Sequence, residues 1–493
     1  MVSIRKVKTS SGKTAVQVVH YKARKVVVDA HIGSADDAET VEILMTKAEE
    51  WIHKQHQTML FPPPPRRTLN IETARFVNTT HKFAYTVLLE IFKRCEFADL
   101  SKLLTDLSIM RIIESCSKLR SIELLGRYFG IHWTQITVYR NLPKLKSLKG
   151  EVEKKAVACA KTLLHADLSL ILYDVTTLYF ETFKEDDNLR KRGFSKDHKE
   201  NQPQIVIGLL VTDQGFPVGY EVFEGNTFEG HTMLPALKDF SLKHDVKTPT
   251  VVADAAMISL DNVKALKNDG YSYIVGARLA NSSADILDAI RTALQKDGST
   301  IRISTDRGDL ICAYSSTRYR KDKHEMDRQI ERAEILIAKK EPGRRAKFVT
   351  GGDGPYVLNE TLKQKAVTLL GWKGYYTNIP EATLPNLEVV TKYRQLWHVE
   401  QTFRMAKSDL ETRPIFHYKE DAIRAHILIC FVALCVGKYM ESITGRSLRD
   451  IRDTLLSVAD AHIVDSKTGD TIILRSEPNE KVKPLLNDLG VSY

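Results

Sequence analysis

The sequence has few cysteines, and none of their spacings is typical of a metal site or of a disulfide framework. The six cysteines among 493 residues include no CxxC pair. His53 and His56 lie three positions apart in a predicted helix, but no further ligand is nearby in the sequence, so we assign them no metal. These absences argue against zinc modules and disulfide-stabilised domains, and they indicate a reducing compartment.

Long apolar runs are absent as well. The N-terminal segment MVSIRKVKTSSGKT lacks the apolar stretch of a signal peptide. The longest apolar run, ILICFVALCV at residues 427–436, is half as long as a membrane-spanning helix requires. We therefore expect a soluble, cytoplasmic protein without a membrane partner, in which this run forms a buried helix.

The chain does have an excess of positive charge. It contains 72 Lys and Arg against 62 Asp and Glu, which gives a formal net charge of +10 and an isoelectric point near 9.0. This excess suits a polyanionic partner such as nucleic acid, although it is small for so long a chain. The length predicts about two to four domains.

Hydrophobic patterning divides the chain into several regions. Four consecutive prolines at 62–65 cannot continue a helix or a central strand, so we predict a linker at 61–67 after a small α+β module at 1–60. Helical periodicity dominates residues 68–165. The fold class is multidomain α/β, and its remaining regions are the first part of a mixed-sheet core (166–282), an inserted β-rich and basic domain (283–378), the second part of the core (379–440) and a C-terminal region (441–493).

The helical region contains a candidate DNA-binding motif. The segment SIELLGRYFGIHWTQITVYRNLPKL predicts one helix, a turn at Gly130 and a second helix. Such a second helix can enter the major groove, where polar and basic side chains reach bases and phosphates. Its candidate contacts are Thr134, Gln135, Thr137, Tyr139 and Arg140. Ordinary packing of a helical hairpin is the alternative.

Two acids mark the start of the core region. Asp174 lies in the middle of an apolar strand, LSLILYDVTTLYFE, where a carboxylate is costly unless it binds a cation. Two further strands follow, joined by a hairpin turn at 213–215. A helix comes next, then the strand TPTVVADAAM with Asp254 near its end, a helix and another strand. The predicted order is β-β-β-α-β-α-β.

This order and the places of the two acids resemble the ribonuclease-H-like core of retroviral-integrase and DDE transposase enzymes. The resemblance implies a third acid on a later helix, and the segment KYRQLWHVEQTFRMAK supplies Glu400. On one continuous helix, five residues would share a face because they are spaced by three and four positions. They are Tyr393, Trp397, Glu400, Arg404 and Lys407.

The resemblance is sharper to insertion-sequence transposases whose helix carries a Tyr-x2-Arg-x3-Glu-x6-Lys signature. Tyr393, Glu400 and Lys407 fit that spacing, whereas Leu396 stands where the group has arginine. Similar segments cover most of residues 168–440 and include GFSKDHKENQPQIVIGLLV, VFEGNTFEGHT and VVADAAMIS. Since position 396 carries no charge, we expect Arg404 to bind a phosphate near the scissile bond, with a smaller contribution from Arg394 at the side of the helix, and we expect Tyr393 and Lys407 to contact DNA as well.

The resemblance also implies that the inserted region grips the element end beside the cleavage site. Its basic helix would supply sequence-independent phosphate contacts. A charged helix solvated and balanced by its own acids is the alternative. The candidate contacts are Arg318, Arg320, Lys321, Lys323, Arg344 and Arg345.

For the chemistry, the resemblance implies two Mg²⁺ ions, or Mn²⁺ in their place, held by Asp174, Asp254 and Glu400. It implies a transposase that binds the terminal inverted repeats of an insertion sequence, cleaves its ends and joins the 3′-hydroxyls to target DNA. Its partners would be double-stranded DNA and a second copy in a homodimer, in the nucleoid of a prokaryotic cell. A nuclease on the same core without strand transfer and a non-catalytic DNA-binding relative remain open.

Overall fold

The computed structural model describes residues 2–23, 25–56, 73–185, 188–194, 199, 201–246, 248–257, 259–339, 346–350, 356–466 and 468–492. It divides into two compact units, Met1–Ala74 and Arg75–Tyr493. Several sequence predictions fall outside the described residues: the proline linker at 61–67, Arg344 and Arg345, and the side chains of His53 and His56.

The first unit is a three-stranded antiparallel sheet covered on one face by a helix. Its elements are β1 (Val2–Lys8), β2 (Thr14–Lys22), β3 (Lys25–Ala35) and α1 (Ala38–His56), with β2 in the centre of the sheet. Helix α1 begins where Asp37 accepts a hydrogen bond from the backbone N–H of Thr40, at 2.7 Å. Val16 and Val18 are fully buried beneath it, so the unit has its own small core.

The second unit begins with a strand and a group of helices. They are β4 (Ala74–Thr80), α2 (Lys82–Arg94), α3 (Lys102–Ile113), α4 (Lys118–Leu124), α5 (Gln135–Lys146) and α6 (Lys149–Thr162). A π-helical turn at Leu125–Phe129 extends α4 and ends at Gly130, whose φ of 72° suits glycine. The predicted turn at Gly130 is therefore present, and it separates α4 from α5.

A mixed sheet follows in the predicted order of three strands, helix, strand, helix and strand. The elements are β5 (Leu170–Tyr179), β6 (Gln204–Thr212), β7 (Pro217–Glu224), α7 (Met233–His244), β8 (Thr250–Ala253), α8 (Leu260–Asn268) and β9 (Ser272–Ala277). Strand β6 is antiparallel to β5 and to β7, whereas β5, β8 and β9 run parallel to one another. Every residue of β6 is buried, which explains its unbroken apolar sequence.

In the region predicted as an inserted domain, three of the five described strands extend the core sheet, and the other two pair with each other. Its elements are α9 (Ala284–Thr292), β10 (Thr300–Thr305), β11 (Gly308–Tyr314), α10 (Ser316–Lys339), β12 (Val349–Thr350), β13 (Val357–Leu358), α11 (Glu360–Thr368) and β14 (Trp372–Thr377). Strand β14 pairs with β9 and gives an eight-stranded sheet in the order β10-β11-β14-β9-β8-β5-β6-β7. The pairing satisfies the backbone groups of β9 that would otherwise lie at an edge.

The helix predicted to carry Glu400 is interrupted. The last elements are α12 (Asn386–Arg394), α13 (Trp397–Arg404), α14 (Glu420–Thr444), α15 (Leu448–Leu456), β15 (Asp460–Asp465), β16 (Thr471–Arg475) and α16 (Val482–Leu489). Between α12 and α13, the N–H groups of Gln395 and Leu396 donate to carbonyls only three residues back. The expectation of one continuous five-residue face was therefore wrong, because this tight turn changes the helical register after Tyr393.

Helix α14 forms the centre of the second unit. It contains the apolar run 427–436 and packs against α3, α5 and β7. By length and composition it could cross a membrane, but 72% of its most apolar window is buried inside the protein. The prediction of a buried helix is confirmed.

Candidate active site

Asp174 and Asp254 lie at the same level of two neighbouring parallel strands. Tyr173 on β5 is the register partner of Ala253 on β8, and each acid is the next residue in its chain. Strand β8 ends at Ala253, so Asp254 projects from the carboxyl end of the strand, while β5 continues past Asp174. The two acids that the sequence singled out are therefore brought together.

Tyr393 holds the carboxylate of Asp254. Its hydroxyl donates to Oδ1 of Asp254 at 3.2 Å, and the N–H of Ala255 donates to the same oxygen at 2.7 Å. Burial raises the pKa of Tyr393, and the charges of Asp254 and Asp174 raise it further, so the hydroxyl keeps its proton. We predicted that Tyr393 contacts DNA, but its side chain is only 6% exposed, and we revise its expected role to positioning Asp254.

Gly276 on β9 makes this arrangement possible. A Cβ atom at position 276 would lie 2.6 Å from the hydroxyl oxygen of Tyr393 and 3.1 Å from the nitrogen of Ala255. Real Cβ atoms essentially never approach another atom at 2.6 Å. The close approach of Tyr393 to the sheet therefore requires glycine at this position.

Glu400 lies in the first turn of α13 and is exposed. The charges of Glu400 and Asp254 both act on Lys373 of β14. The Nζ atom of Lys373 lies 4.5 Å from the ring centre of Tyr393. Burial lowers the pKa of Lys373 and the charge of Arg318 lowers it further, while Asp254 and Glu400 oppose the change. Lys373 thus lies within electrostatic reach of acids on two different elements.

The acids form a suitable donor set for a hard cation but are not gathered into one cluster. Among the described residues, no three His, Cys, Asp or Glu side chains lie close enough together to hold a metal ion. Three carboxylates are nevertheless the ligands that Mg²⁺ prefers. The residues therefore fit Mg²⁺ by their chemistry, and binding would require the exposed Glu400 side chain to approach the aspartate pair.

The predicted basic residues take different positions around the acids. Arg318 pairs with Asp322 at 3.2 Å, and its charge, like that of Arg394, lowers the pKa of Lys373. Arg404 is exposed at the end of α13, and Lys407 lies in the following π-helical turn. The charge of Arg394 thus acts on Lys373, although we expected Arg404 to be the more important arginine.

Two further basic residues of α10, Arg320 and Lys323, interact with acids other than the three candidate site acids. The charge of Arg320 helps to lower the pKa of Asp297, after hydrogen bonds from Ser316. Lys323 lies 2.9 Å from Asp327 one turn along the same helix. These positions support solvated ion pairs along much of α10, and Arg318 is the α10 residue whose charge acts on Lys373.

Helix α5 presents the predicted DNA-binding side chains to solvent. The hydroxyl of Thr134 caps the helix by accepting from the N–H of Thr137. Tyr139 and Arg140 are exposed, whereas Val138 is buried. An amphipathic helix after a glycine turn, with its polar side open, is the geometry that a recognition helix needs.

A cavity of about 530 Å³ opens beside Asp254, and sequence reasoning missed most of its residues. It is lined by the following residues from separated segments: Thr177, Phe194, Asn226, Phe228, Glu229, Ala255, Ser259, Arg278, Asn281, Arg307 and Tyr376. The guanidinium of Arg307 lies 6.0 Å from the ring centre of Tyr376. The two arginines give the cavity groups that can bind a phosphate.

Fold and site define the class as a mixed-sheet α/β protein with carboxylates at the ends of adjacent parallel strands. The family model described as Transposase DDE domain matches residues 165–436, more than half of the chain. The chain belongs to this family and is a transposase of the DDE type.

Similarity to individual proteins is low. No curated protein matches the chain. Among solved structures, it is similar to one described as the "Cryo-EM structure of piggyBac transposase synaptic complex with hairpin DNA". The similarity has 12% sequence identity, covers 83% of this chain and 75% of that chain, and has a TM-score of 0.37.

Proposed function

We propose that this transposase binds the terminal inverted repeats of an insertion sequence, cleaves its ends and joins the 3′-hydroxyls to target DNA. The observation that carries the proposal is the pairing of Tyr173 with Ala253, which sets Asp174 and Asp254 side by side at a strand end. Two carboxylates side by side at the end of a sheet offer the oxygen ligands that a hard divalent cation binds. Phosphoryl transfer is the chemistry that uses cations in this way.

The core is proposed to be ribonuclease-H-like. Three antiparallel strands followed by two parallel strands, in the order β7-β6-β5-β8-β9, support this assignment. An acid on the first strand, an acid after the fourth and a later acidic helix complete the pattern. The finer likeness to the group with the Tyr-Arg-Glu-Lys signature rests on Tyr393, Glu400 and Lys407, with Leu396 in place of the arginine.

Asp174, Asp254 and Glu400 are proposed to hold two Mg²⁺ ions, for which Mn²⁺ could substitute. When bound, such ions neutralise charge at a phosphate and activate an oxygen nucleophile. Tyr393 fixes the orientation of Asp254, and Lys373 offers a cation to the phosphate beside the acids. Arg394 and Arg318 add positive charge on the same side.

Double-stranded DNA is the proposed partner, bound by a homodimer that pairs two element ends. Tyr139 and Arg140 on α5 would contact the duplex, and Arg318, Arg320, Arg404 and Lys407 would add phosphate contacts. The cavity with Arg278 and Arg307 would accept the strand that continues past the cleaved phosphate. The prokaryotic nucleoid is the proposed place of action.

A nuclease that uses the same acids without strand transfer is the second candidate. It differs from a transposase in that its gene need not be flanked by inverted repeats. Supplying a cleaved, 3′-hydroxyl-ended duplex together with a supercoiled plasmid separates the two. Joined products support a transposase, whereas cleavage alone supports the nuclease.

Substitution of the three acids tests the proposal directly. Asp174→Asn, Asp254→Asn and Glu400→Gln should each abolish Mg²⁺-dependent cleavage of the element ends and leave end binding nearly intact. Glu388→Gln on the neighbouring α12, where the side chain is also exposed, is the matched control and should cleave normally. Cleavage retained by any of the three variants would remove that residue from the site. A wild-type chain that binds the element ends without cleaving them would favour a non-catalytic DNA-binding protein.

A further inference from the structure

The charge of the first unit is divided between its sheet and its helix. Residues 1–35, which form the strands, contain seven Lys and Arg and one Asp. Residues 36–56, which form the helix and the two positions before it, contain two Lys and six Asp and Glu. The single acid of the strands, Asp29, lies 2.7 Å from Nδ1 of His20. The sheet is therefore the positive part of this unit, and the helix is the negative part.

The face of the sheet that points away from α1 carries polar and aromatic side chains. Ile4 and Val18 pack toward α1, so their neighbours Arg5 and Gln17 point the other way. Arg5 pairs with Gln17 across the strands, and its guanidinium donates to the Gln17 amide oxygen at 3.3 Å. His31 is the next member of this row on β3. The row presents donors and acceptors on an exposed surface.

Apolar groups and basic turns surround that row. Tyr21 and its partner Val26 are 66% and 37% exposed. Exposed lysines flank both turns of the sheet, Lys8 and Lys13 at one end and Lys22 and Lys25 at the other. Lys13 lies 3.6 Å from Asp36, whereas the other turn has lysines on both sides and no acid in its sequence, YKARKV.

We propose that this open sheet face is a second DNA-binding surface, which binds duplex DNA in a groove. The inference rests on the proposed function, since it requires DNA as the substrate. Because neighbouring strands lie about 4.8 Å apart, the axes of the two outer strands are about 10 Å apart. This distance is comparable with the width of the major groove, about 12 Å. Arginine reads guanine, glutamine reads adenine and an apolar side chain contacts the thymine methyl group.

Charge complementarity decides the occupant of this face. DNA would meet the positive sheet, and the acidic helix would lie on the side away from the phosphates. Lysines at the ends of the sheet can reach the phosphates that border the groove. A second copy that bound sheet to sheet would instead bring two positive surfaces together, which like charges disfavour.

The test uses the full-length chain and measures binding to a duplex taken from the flanks of its gene and to a random-sequence duplex. Arg5→Ala combined with Gln17→Ala should weaken binding to the flank duplex by about tenfold or more and change binding to the random duplex little. Lys47→Ala, which removes an exposed positive charge from α1, is the matched control and should leave both affinities unchanged. Thermal melting verifies that each variant folds.

A second variant tests the binding of phosphates independently. Lys22→Glu with Lys25→Glu should weaken binding to both duplexes and reduce the slope of log K against log salt concentration by about 0.9 for each phosphate that is no longer neutralised. Unchanged affinity in both sheet variants, with a wild-type chain that binds, overturns this inference and leaves the proposed function standing. A wild-type chain that binds neither duplex overturns both. Weaker self-association with unchanged DNA binding assigns the face to a second copy and overturns the inference.

Discussion

The hydroxyl of Tyr393 on α12 lies 3.2 Å from the carboxylate of Asp254 at the end of β8. This bond joins the helical layer to the strand end at which the acids lie. Because the N–H of Ala255 donates to the same oxygen, the carboxylate is held from two sides and presents its other oxygen outward. Tyr393 therefore connects the packing of the core to the geometry of the site.

Tyr393→Phe should lower Mg²⁺-dependent cleavage by about 10-fold to 100-fold, because partners that orient a metal ligand typically have effects of this size. DNA affinity should not change, since the ring is buried. Cleavage is measured across a Mg²⁺ titration, and activity should be partly recovered at high Mg²⁺. A variant with normal cleavage but weakened DNA binding would return Tyr393 to the role of a DNA-binding residue.

Gly276→Ala should impair cleavage at least as strongly as Tyr393→Phe, because the new methyl group would displace the tyrosine ring and the Ala255 backbone together. Gly150→Ala, at a helical glycine with open space around it, is the control and should be neutral or slightly stabilising. The comparison is made by cleavage rate and thermal melting. Equal activity of the two variants would show that Tyr393 does not need this close approach.

Lys373→Ala should reduce cleavage by more than tenfold, because it removes a half-buried cation that lies beside the acids and next to Tyr393. Lys161→Ala removes the same charge from the exposed surface of α6 and should have little effect on cleavage. Single-turnover rates at saturating DNA separate catalysis from binding. If Lys373→Ala reduces only the affinity, Lys373 is a binding residue.

Arg394→Ala should impair cleavage more than Arg404→Ala. The charge of Arg394 acts to lower the pKa of Lys373 and of Tyr375, which both lie against the ring of Tyr393. Arg404 lies one turn beyond Glu400 at the end of α13. End binding and cleavage are measured across a salt series for both variants. A silent Arg394 with a critical Arg404 would restore the expectation drawn from the uninterrupted helix.

Lys118→Met should stabilise the protein by about 1–3 kcal/mol near pH 6. Burial lowers the pKa of Lys118 from its ordinary 10.5 to about 7. The unfolded chain therefore binds more protons between these values, so the cost of burying Lys118 is complete below pH 7 and disappears as the pH rises toward 10.5. The advantage of the variant, measured by urea unfolding, should shrink over that range. The exposed Lys161→Met should show no such trend.

The sequence predicted the five central strands because long apolar segments and turn signals lie close together in the chain. Asp174 and Asp254 could be predicted from the sequence for a similar reason, because each is a charged residue in an apolar segment. Lys373 could not be predicted from the sequence. It lies in the region predicted as a separate insertion, and only the pairing of β14 with β9 brings it to the site.

Local patterns also failed where hydrogen bonding changed within one element. Residues 386–404 have helical periodicity throughout, but the turn at Gln395 and Leu396 has bonds to carbonyls three residues back. Leu396, which stands in the place of a signature arginine, is 7% exposed and packs in the core. Spacing alone could not show that this position points inward or that the charge of Arg394 acts on Lys373.

The buried position of helix α14 restricts which shortened forms of this protein can fold. It lies between the helices α3 and α5 on one side and the sheet strand β7 on the other, and it is buried along most of its length. A shortened chain that began at β5 would retain all three acids but would expose this apolar helix to water. Such N-terminally truncated chains should aggregate and should not yield a minimal enzyme. The helical region should therefore be inherited together with the catalytic sheet.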